Sequence, residues 1–263
     1  MEIDAGTRAL ITGASKGIGA ALAAELAGRG VRVGLLARDQ RALDELAGRL
    51  PGEQIVLPAD VTEPKELERA VGAFVDEAGG LDLLVANAGI AHYGPFAEMD
   101  LAKIESMVSV NVMGSLYTVK AALPSMLDGG AGHIVVVSSG AGIRAFPDGA
   151  VYGATKAANR GFAEALRHEL AGTGVSLTTV YPGEVATELH SHQLDRLPDW
   201  RQSDEAIDPS DLATEITDAV QEDRRSVFAP KAVRLLGMNG VAPGATDRLL
   251  RRVRGQAAAP RRD

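Results

Sequence analysis

Short apolar runs recur along the chain at residues 8–12, 32–36, 54–57, 82–86, 133–138, 175–180 and 226–228. Each has the length of a strand. Between them lie stretches rich in Ala and Leu, at 19–29, 41–50, 64–77, 102–127 and 152–171, whose apolar positions return every three or four residues. This alternation predicts β-α-β-α order, and hence a mostly parallel sheet of seven strands. Several strands are apolar on both faces, as in Leu83-Leu84-Val85 and Val135-Val136-Val137, so helices are expected to cover both sides. The predicted fold class is α/β, a doubly wound sheet in three layers.

No internal repeat or linker-like stretch divides the chain, and one domain over residues 1–263 is expected. From about 188 to 209 the text turns polar and irregular, with His190, His192, Pro198 and Trp200, and reads as an insertion over a site. From about 230 to 263 a basic C-terminal extension follows: residues from Arg224 onward carry a net +8, leaving −16 on the rest. The overall charge of −8 offers no general attraction to phosphate backbones, which argues against a nucleic acid partner. With no cysteine, disulfides, thiolate metal sites, a cysteine nucleophile and iron–sulfur ligation are excluded. No apolar run approaches membrane-spanning length, and the start MEIDAGTRALITGAS lacks a signal-peptide pattern, so a soluble cytoplasmic protein is expected.

The first predicted strand runs through Thr12 into Gly13-Ala14-Ser15-Lys16-Gly17-Ile18-Gly19 and directly into a helix. A glycine-rich turn at a helix N-terminus presents backbone N–H groups and the positive end of the helix dipole to a pyrophosphate, and its glycines let the backbone approach closely. Gly13, Ser15, Lys16, Gly17, Ile18 and Gly19 are therefore candidate cofactor contacts. About twenty residues further on, where a dinucleotide fold reads the adenosine ribose, the second strand ends at Ala37-Arg38 rather than at an acid. Arg38 can clamp a 2′-phosphate, with Lys16 as a second cation, which favours NADP(H) over NAD(H). Asp39 is the counter-signal, since a small shift of the strand end would bring its carboxylate to the ribose.

TGASKGIG at 12–19, Asn87-Ala88-Gly89, and Tyr152-Gly153-Ala154-Thr155-Lys156 in this order resemble the short-chain dehydrogenase/reductase family over roughly residues 5 to 230. The resemblance implies a Rossmann-type dinucleotide-binding and catalytic domain. It places Asp60 and Val61 at the adenine, Asn87, Ala88 and Gly89 along the cofactor, and Pro182, Gly183, Val185 and Thr187 at the nicotinamide end. The usual NNAG reads Ala86-Asn87-Ala88-Gly89 here. The resemblance also implies a catalytic set of Asn111, Ser139, Tyr152 and Lys156, with Tyr152 and Lys156 touching the cofactor as well.

The YxxxK spacing makes chemical sense by itself, because residues four apart share one helix face. An adjacent ammonium favours the phenolate form of a tyrosine whose ordinary pKa, about 10, would make it a poor base. A hydroxyl arriving from another element can orient a carbonyl for hydride attack; the resemblance assigns this to Ser139, with Ser138 as the competing candidate. Asn111 stands mid-helix, where asparagine competes for backbone hydrogen bonds; the resemblance gives it a water that connects Lys156 to solvent.

The reading is thus an oxidoreductase moving hydride between NADP(H) and a carbonyl or secondary alcohol, with a small-molecule, hydrophobic substrate. Ile143, Phe146, Val185, Leu189, Leu194, Leu197 and Trp200 are expected to line its site, with Arg144 and Glu184 as polar handles and His92 and Tyr93 at the border. A non-catalytic dinucleotide sensor on the same fold would carry a broken catalytic set, and all four positions are filled. A methyltransferase needs no YxxxK and usually has an acid after the second strand. His190 and His192 lack a supporting acid cluster, so no metal is expected. Apolar and small residues in the helices at 102–127 and 152–171 suggest a homodimer or homotetramer. Val241, Ala245, Leu249 and Val253, spaced by four among arginines, suggest a C-terminal amphipathic helix. Packing on the acidic body of the enzyme is favoured for it over covering a partner's cleft or resting peripherally on an anionic membrane.

Overall fold

A computed structural model describes residues 1–189 and 206–240, together with Gly244. Seven strands, β1 (Arg8–Thr12), β2 (Arg32–Ala37), β3 (Ile55–Pro58), β4 (Leu83–Ala86), β5 (Gly132–Val137), β6 (Val175–Pro182) and β7 (Ser226–Ala229), form one sheet in the order β3-β2-β1-β4-β5-β6-β7. Every pairing is parallel. The chain runs outward from β1 to β3 and then crosses back to place β4 against β1. The carboxyl ends of β1 and β4 thus diverge into a crevice, where doubly wound sheets bind ligands.

Strand periodicity divides the core in two. Ala9, Ile11, Val33, Leu35, Val85 and Val135 face one layer, where they meet Leu22 and Leu26 of α1 (Gly17–Gly28), Leu43 of α2 (Gln40–Ala47), and Leu212 and Ile216 of α7 (Pro209–Gln221). Their neighbours Leu10, Leu36, Leu84, Ile134 and Val136 face the other, against Leu67 and Phe74 of α3 (Pro64–Ala78), Val119 and Met126 of α5 (Gly114–Gly129), and Leu166 of α6 (Ala150–Glu169). This is the predicted three-layer doubly wound arrangement, with strand ends within two residues of those expected. Burying both strand faces removes each apolar side chain from water, the main favourable term for a sheet of this kind.

Two elements depart from expectation. The stretch predicted as one helix over 102–127 is α4 (Leu101–Met107), a π-helical segment Val108–Met113, and α5. The widened turn lets the buried Asn111 reach a loop 21 residues away. Helix α7, unassigned from sequence, begins with Asp208 accepting from the Ser210 N–H and with Pro209 at its first turn. That Asp-Pro start and the buried Leu212, Ile216 and Val220 at a spacing of four are a legible helix signal. The stretch 190–205 and the amphipathic pattern of Val241, Ala245, Leu249 and Val253 lie outside the described residues, as do Leu194, Leu197, Trp200, His190 and His192.

At the opposite end of the sheet from the crevice, His133 of β5 is buried, with Nε2 2.8 Å from Thr178 Oγ1. The Thr178 hydroxyl donates to the Arg224 carbonyl (2.5 Å), so His133 Nε2 carries the proton and donates. Burial holds the imidazole neutral, with its pKa pushed down to about 4, while Asp223 opposes the shift. A base whose pKa falls on folding stabilises the fold fully above its unfolded value, about 6.5, and loses that contribution as pH falls towards 4. Protonation here is expected to cost about 3 kcal/mol of stability between pH 7 and 4. In thermal melts, His133→Gln is expected to flatten the acid limb; an identical acid limb in that variant would assign the loss elsewhere.

Candidate active site

The glycine-rich turn between β1 and α1 is shaped by contacts that exclude side chains. Gly13 has φ +66, and a Cβ there would lie 2.8 Å from the Ala88 Cα; a Cβ on Gly19 would overlap the Gly13 carbonyl. The N–H groups of Gly17, Ile18 and Gly19 start α1 and so have no acceptor within the helix. The first turn holds no acid and the N-cap, Lys16, makes no side-chain cap, which keeps this positive helix end open to an anion. From the far side, Thr187 lies against the turn, its Cγ2 3.2 Å from where a Gly17 Cβ would stand. The segment carrying Thr187 is tied back through Ile207, which bonds to Ala186 and Glu184. Across this gap Lys16 and Glu188, both exposed, are 3.9 Å apart.

Thr12 and Asn87 lock the β1 and β4 ends together. Thr12 Oγ1 accepts from the N–H groups of Asn87 (3.1 Å) and Ala88 (3.2 Å), and Asn87 Nδ2 donates to the Thr12 carbonyl (2.9 Å). One residue beyond Gly89, Asn111 grips the loop from the π segment: the Ile90 N–H donates to Asn111 Oδ1 (2.8 Å), and Asn111 Nδ2 donates to the Ile90 carbonyl (2.9 Å) and Thr155 Oγ1 (3.0 Å). Asn111 is fully buried and does not line the cleft. A Cβ on Gly89 would stand 3.3 Å from Lys156 Nζ and 3.4 Å from Asn111 Oδ1, so the amide and the ammonium flank the same glycine.

Helix α6 carries Tyr152 and Lys156 on its buried face, with Nζ 5.9 Å from the Tyr152 ring centroid. Lys156 Nζ donates to the Val137 carbonyl (3.0 Å), which leaves two of its three donors for a ligand. Burial pushes its pKa down to about 8, still above neutrality, so the ammonium persists at pH 7. The two serines after β5 differ in their bonds. Ser138 Oγ donates to the Lys156 carbonyl (2.7 Å) and pins α6 to the strand. Ser139 Oγ accepts from the Ala141 N–H (3.1 Å) and makes only a long bond to the Pro182 carbonyl (3.4 Å), so its proton can turn to a substrate oxygen.

These elements surround a cleft of about 540 Å³. Of the residues singled out from sequence, Gly13, Ser15, Lys16, Gly17, Ile18, Asn87, Ala88, Gly89, Ser139, Tyr152, Lys156, Pro182, Gly183, Val185 and Thr187 line it. Gly19, Arg38, Asp60 and Val61 do not. Val61 packs where a Gly114 Cβ would stand, and Asp60 Oδ1 accepts from the Thr62 N–H and hydroxyl. Among the expected substrate-side residues, Phe146, Val185, Leu189 and Glu184 line the cleft, with Tyr93; Ile143, Arg144 and His92 do not. Pro230, Ala232, Val233 and Leu236, which also line it, were not foreseen. They comprise Pro230, just after β7, and residues of the 3₁₀ segment Lys231–Gly240, anchored by Gly183 N–H to the Ala229 carbonyl (2.7 Å). Their one sequence signal is the three-residue spacing of Val233 and Leu236 behind Pro230.

At the end of β2, Arg38 is 70% exposed and pairs loosely with Asp60 (3.8 Å). The Asp39 carboxylate caps α2, accepting from the Ala42 N–H (3.1 Å). One oxygen of the acid that could have contacted a ribose is thereby engaged in the cap. The side-chain-free cradle at Gly13 and Gly19, the open helix end and the spare donors of a buried ammonium fit a nicotinamide dinucleotide. Among the described residues, no group of His, Asp and Glu is arranged for a metal ion and no helix is long and apolar enough to cross a membrane.

Known proteins share this arrangement. The sequence profile of the family described as short chain dehydrogenase matches residues 7–197. An uncharacterised oxidoreductase of Staphylococcus saprophyticus is 38% identical over 218 residues, covering 81% of this chain and 91% of that protein. A short chain dehydrogenase/reductase from Burkholderia phymatum, solved with NAD, superposes with a TM-score of 0.85 at 27% identity, covering 94% of this chain and 96% of that one. An alcohol dehydrogenase from Thermococcus sibiricus, solved with 5-hydroxy-NADP, gives 0.73 at 28% identity, covering 84% and 94%. With the profile spanning most of the chain and solved relatives superposing over 84–94% of it, the protein belongs to the short-chain dehydrogenase/reductase family of oxidoreductases.

Proposed function

We propose that the chain moves hydride between NADP(H) and the carbonyl or secondary alcohol carbon of an apolar small molecule. The observation that carries this reading is the convergence of Tyr152, Lys156 and Ser139 in a cleft whose other end is the glycine-rich turn. The nicotinamide, when bound, supplies or accepts the hydride. Tyr152 exchanges the proton at the substrate oxygen, and the Lys156 ammonium favours its phenolate while its free donors meet the ribose. Ser139 donates to the substrate oxygen and fixes the carbonyl. Asn111 acts at one remove, holding the Ile90 backbone and facing Gly89 beside Lys156. Phe146, Leu189, Val233 and Leu236 give the substrate side its apolar character.

Arg38 and the diversion of Asp39 to the α2 cap support NADP(H) over NAD(H). The solved relatives carry one cofactor of each kind, so the preference rests on this chain's own residues. A loose pair at 3.8 Å such as that between the exposed Arg38 and the half-buried Asp60 is weak and would yield to a phosphate. A panel of alkyl and aryl ketones and secondary alcohols, assayed by cofactor absorbance with NADPH and NADH, tests both parts. Turnover with NADPH favoured is expected; binding of neither cofactor would overturn the reading.

The chain also assembles as a homodimer or homotetramer in this reading. Support comes from exposed apolar side chains on and before α4 and α5, with Phe96 64% and Leu101 75% accessible, joined by Val108 and Leu127. Apolar side chains left exposed along this helical run are candidates for burial against a second copy of the chain. Sedimentation equilibrium at micromolar concentration is expected to give twice or four times 27.4 kDa; a single monomer species would contradict it.

A further inference from the structure

Resting on the hydride-transfer reading, we propose that Leu236 is a specificity-determining residue, the end of an apolar ridge that gauges the length of the substrate's hydrocarbon arm. A 3₁₀ helix turns once in three residues, so side chains three apart eclipse one another along one edge. At that spacing the start of the segment Lys231–Gly240 and the proline before it divide by chemistry. Pro230, Val233 and Leu236 form an apolar edge and line the cleft, whereas Lys231 and Arg234 form a charged edge that is exposed and does not. The third edge turns away along its length: Ala232 lines the cleft, and Leu235, 64% exposed, does not.

Two glycines seat this ridge beside the reacting centre: Gly140, which follows Ser139, and Gly183, which follows β6. A Cβ on Gly183 would stand 3.1 Å from Pro230 Cδ and 3.5 Å from Val233 Cγ2; one on Gly140 would stand 3.2 Å from Val233 Cγ1 and 3.4 Å from Leu236 Cδ1. The room left by each missing side chain is filled by the ridge. Val233 is buried, with one methyl at each glycine, and its N–H donates to the Pro230 carbonyl (2.9 Å), which fixes the start of the segment. Leu236 follows one turn later, roughly 6 Å along at about 2 Å per residue. It is half-buried and so keeps surface for a ligand. A substrate whose oxygen meets Ser139 lays one arm along the ridge, past Val233 and up to Leu236. Because the ridge carries no polar side chain, a charged or hydroxylated arm would lose water there without gaining a partner, and the arm it accepts is a hydrocarbon chain.

The test uses two series of matched shape: linear methyl ketones of increasing length, assayed for turnover with NADPH, and the corresponding primary carboxamides, which take no hydride and are titrated calorimetrically with NADPH present. In Leu236→Ala the best-bound amide and the best-turned-over ketone are both expected to lengthen by about two or three carbons, the volume the substitution vacates. Amides of that length are expected to bind at least about tenfold more tightly than to the wild type, at about fourfold per buried methylene. Leu236→Phe is expected to shorten both optima, and the shortest members of each series to stay within about threefold in either variant. Should the alanine variant not fold, Leu236→Val is expected to lengthen the optima by about one carbon. Leu235→Ala, on the exposed edge of the same turn, is expected to leave both profiles as they are. Unchanged length profiles in the Leu236 variants would overturn the proposal, as would wild-type protein that binds no amide or binds all lengths equally. The same lengthening in Leu235→Ala would also overturn it, by tracing the effect to a loosened segment. Failure of the hydride-transfer reading is separate: the amide optimum would still move with residue 236 while no ketone was reduced.

Discussion

Tyr152→Phe is expected to lower kcat by at least about 100-fold while leaving NADPH affinity within about twofold, because positioned acid/base groups contribute roughly 10²–10⁴-fold. In the proposed mechanism the phenol contributes its proton at the reacting oxygen. Cofactor affinity is expected to come from elsewhere: from the open end of α1, from the close-packed Gly13 and Gly19, and from the donors of Lys156, none of which the substitution touches. Fluorescence titration with NADPH separates the two effects. A phenylalanine variant keeping more than about a tenth of wild-type turnover would remove Tyr152 from the chemistry.

Arg38→Asp is expected to shift the NADPH/NADH ratio of kcat/KM by about 100-fold towards NADH. Losing a charge-assisted contact to a phosphate and adding a repelling carboxylate together amount to about 3 kcal/mol, and each 1.4 kcal/mol is a factor of ten. The substitution also places a second acid next to Asp60, 3.8 Å from the present guanidinium, and that adds to the repulsion of a 2′-phosphate. An unchanged ratio would transfer the phosphate contact to Lys16, or show that the enzyme works with NAD(H).

What could be read beforehand follows from how local each signal is. Strands β1 to β7 announced themselves because a buried parallel strand is apolar on both faces within four to eight residues. The turn at Gly13–Gly19 was equally plain, since its glycines answer to steric demands within the turn and at Ala88. Asn111 was legible as a polar misfit in a helix, but its π geometry was not, because the bonds that reward the wider turn go to Ile90, 21 residues back. Ser138 and Ser139 are indistinguishable by type. Both line the cleft; the placement of α6 gives the first a short bond to the Lys156 carbonyl (2.7 Å) and leaves the second only a long one to the Pro182 carbonyl (3.4 Å). Likewise the sequence does not show that Asp39 caps a helix; that follows only from α2 beginning at Gln40. The wall of Pro230, Val233 and Leu236 was the least visible. Its residues reach the cleft only because β7 pairs beside β6 and delivers the segment after it to Gly140 and Gly183.

The most direct measurement of the central claim is isotope transfer. The wild-type enzyme, given NADPH deuterated at the transferable C4 position and the panel ketone it turns over fastest, is expected to yield an alcohol with one deuterium on the carbinol carbon, and the Tyr152→Phe variant essentially none in the same time. Cofactor bound and consumed with no deuterium in the product, or equal labelling by both proteins, would contradict hydride transfer assisted by Tyr152 in this cleft.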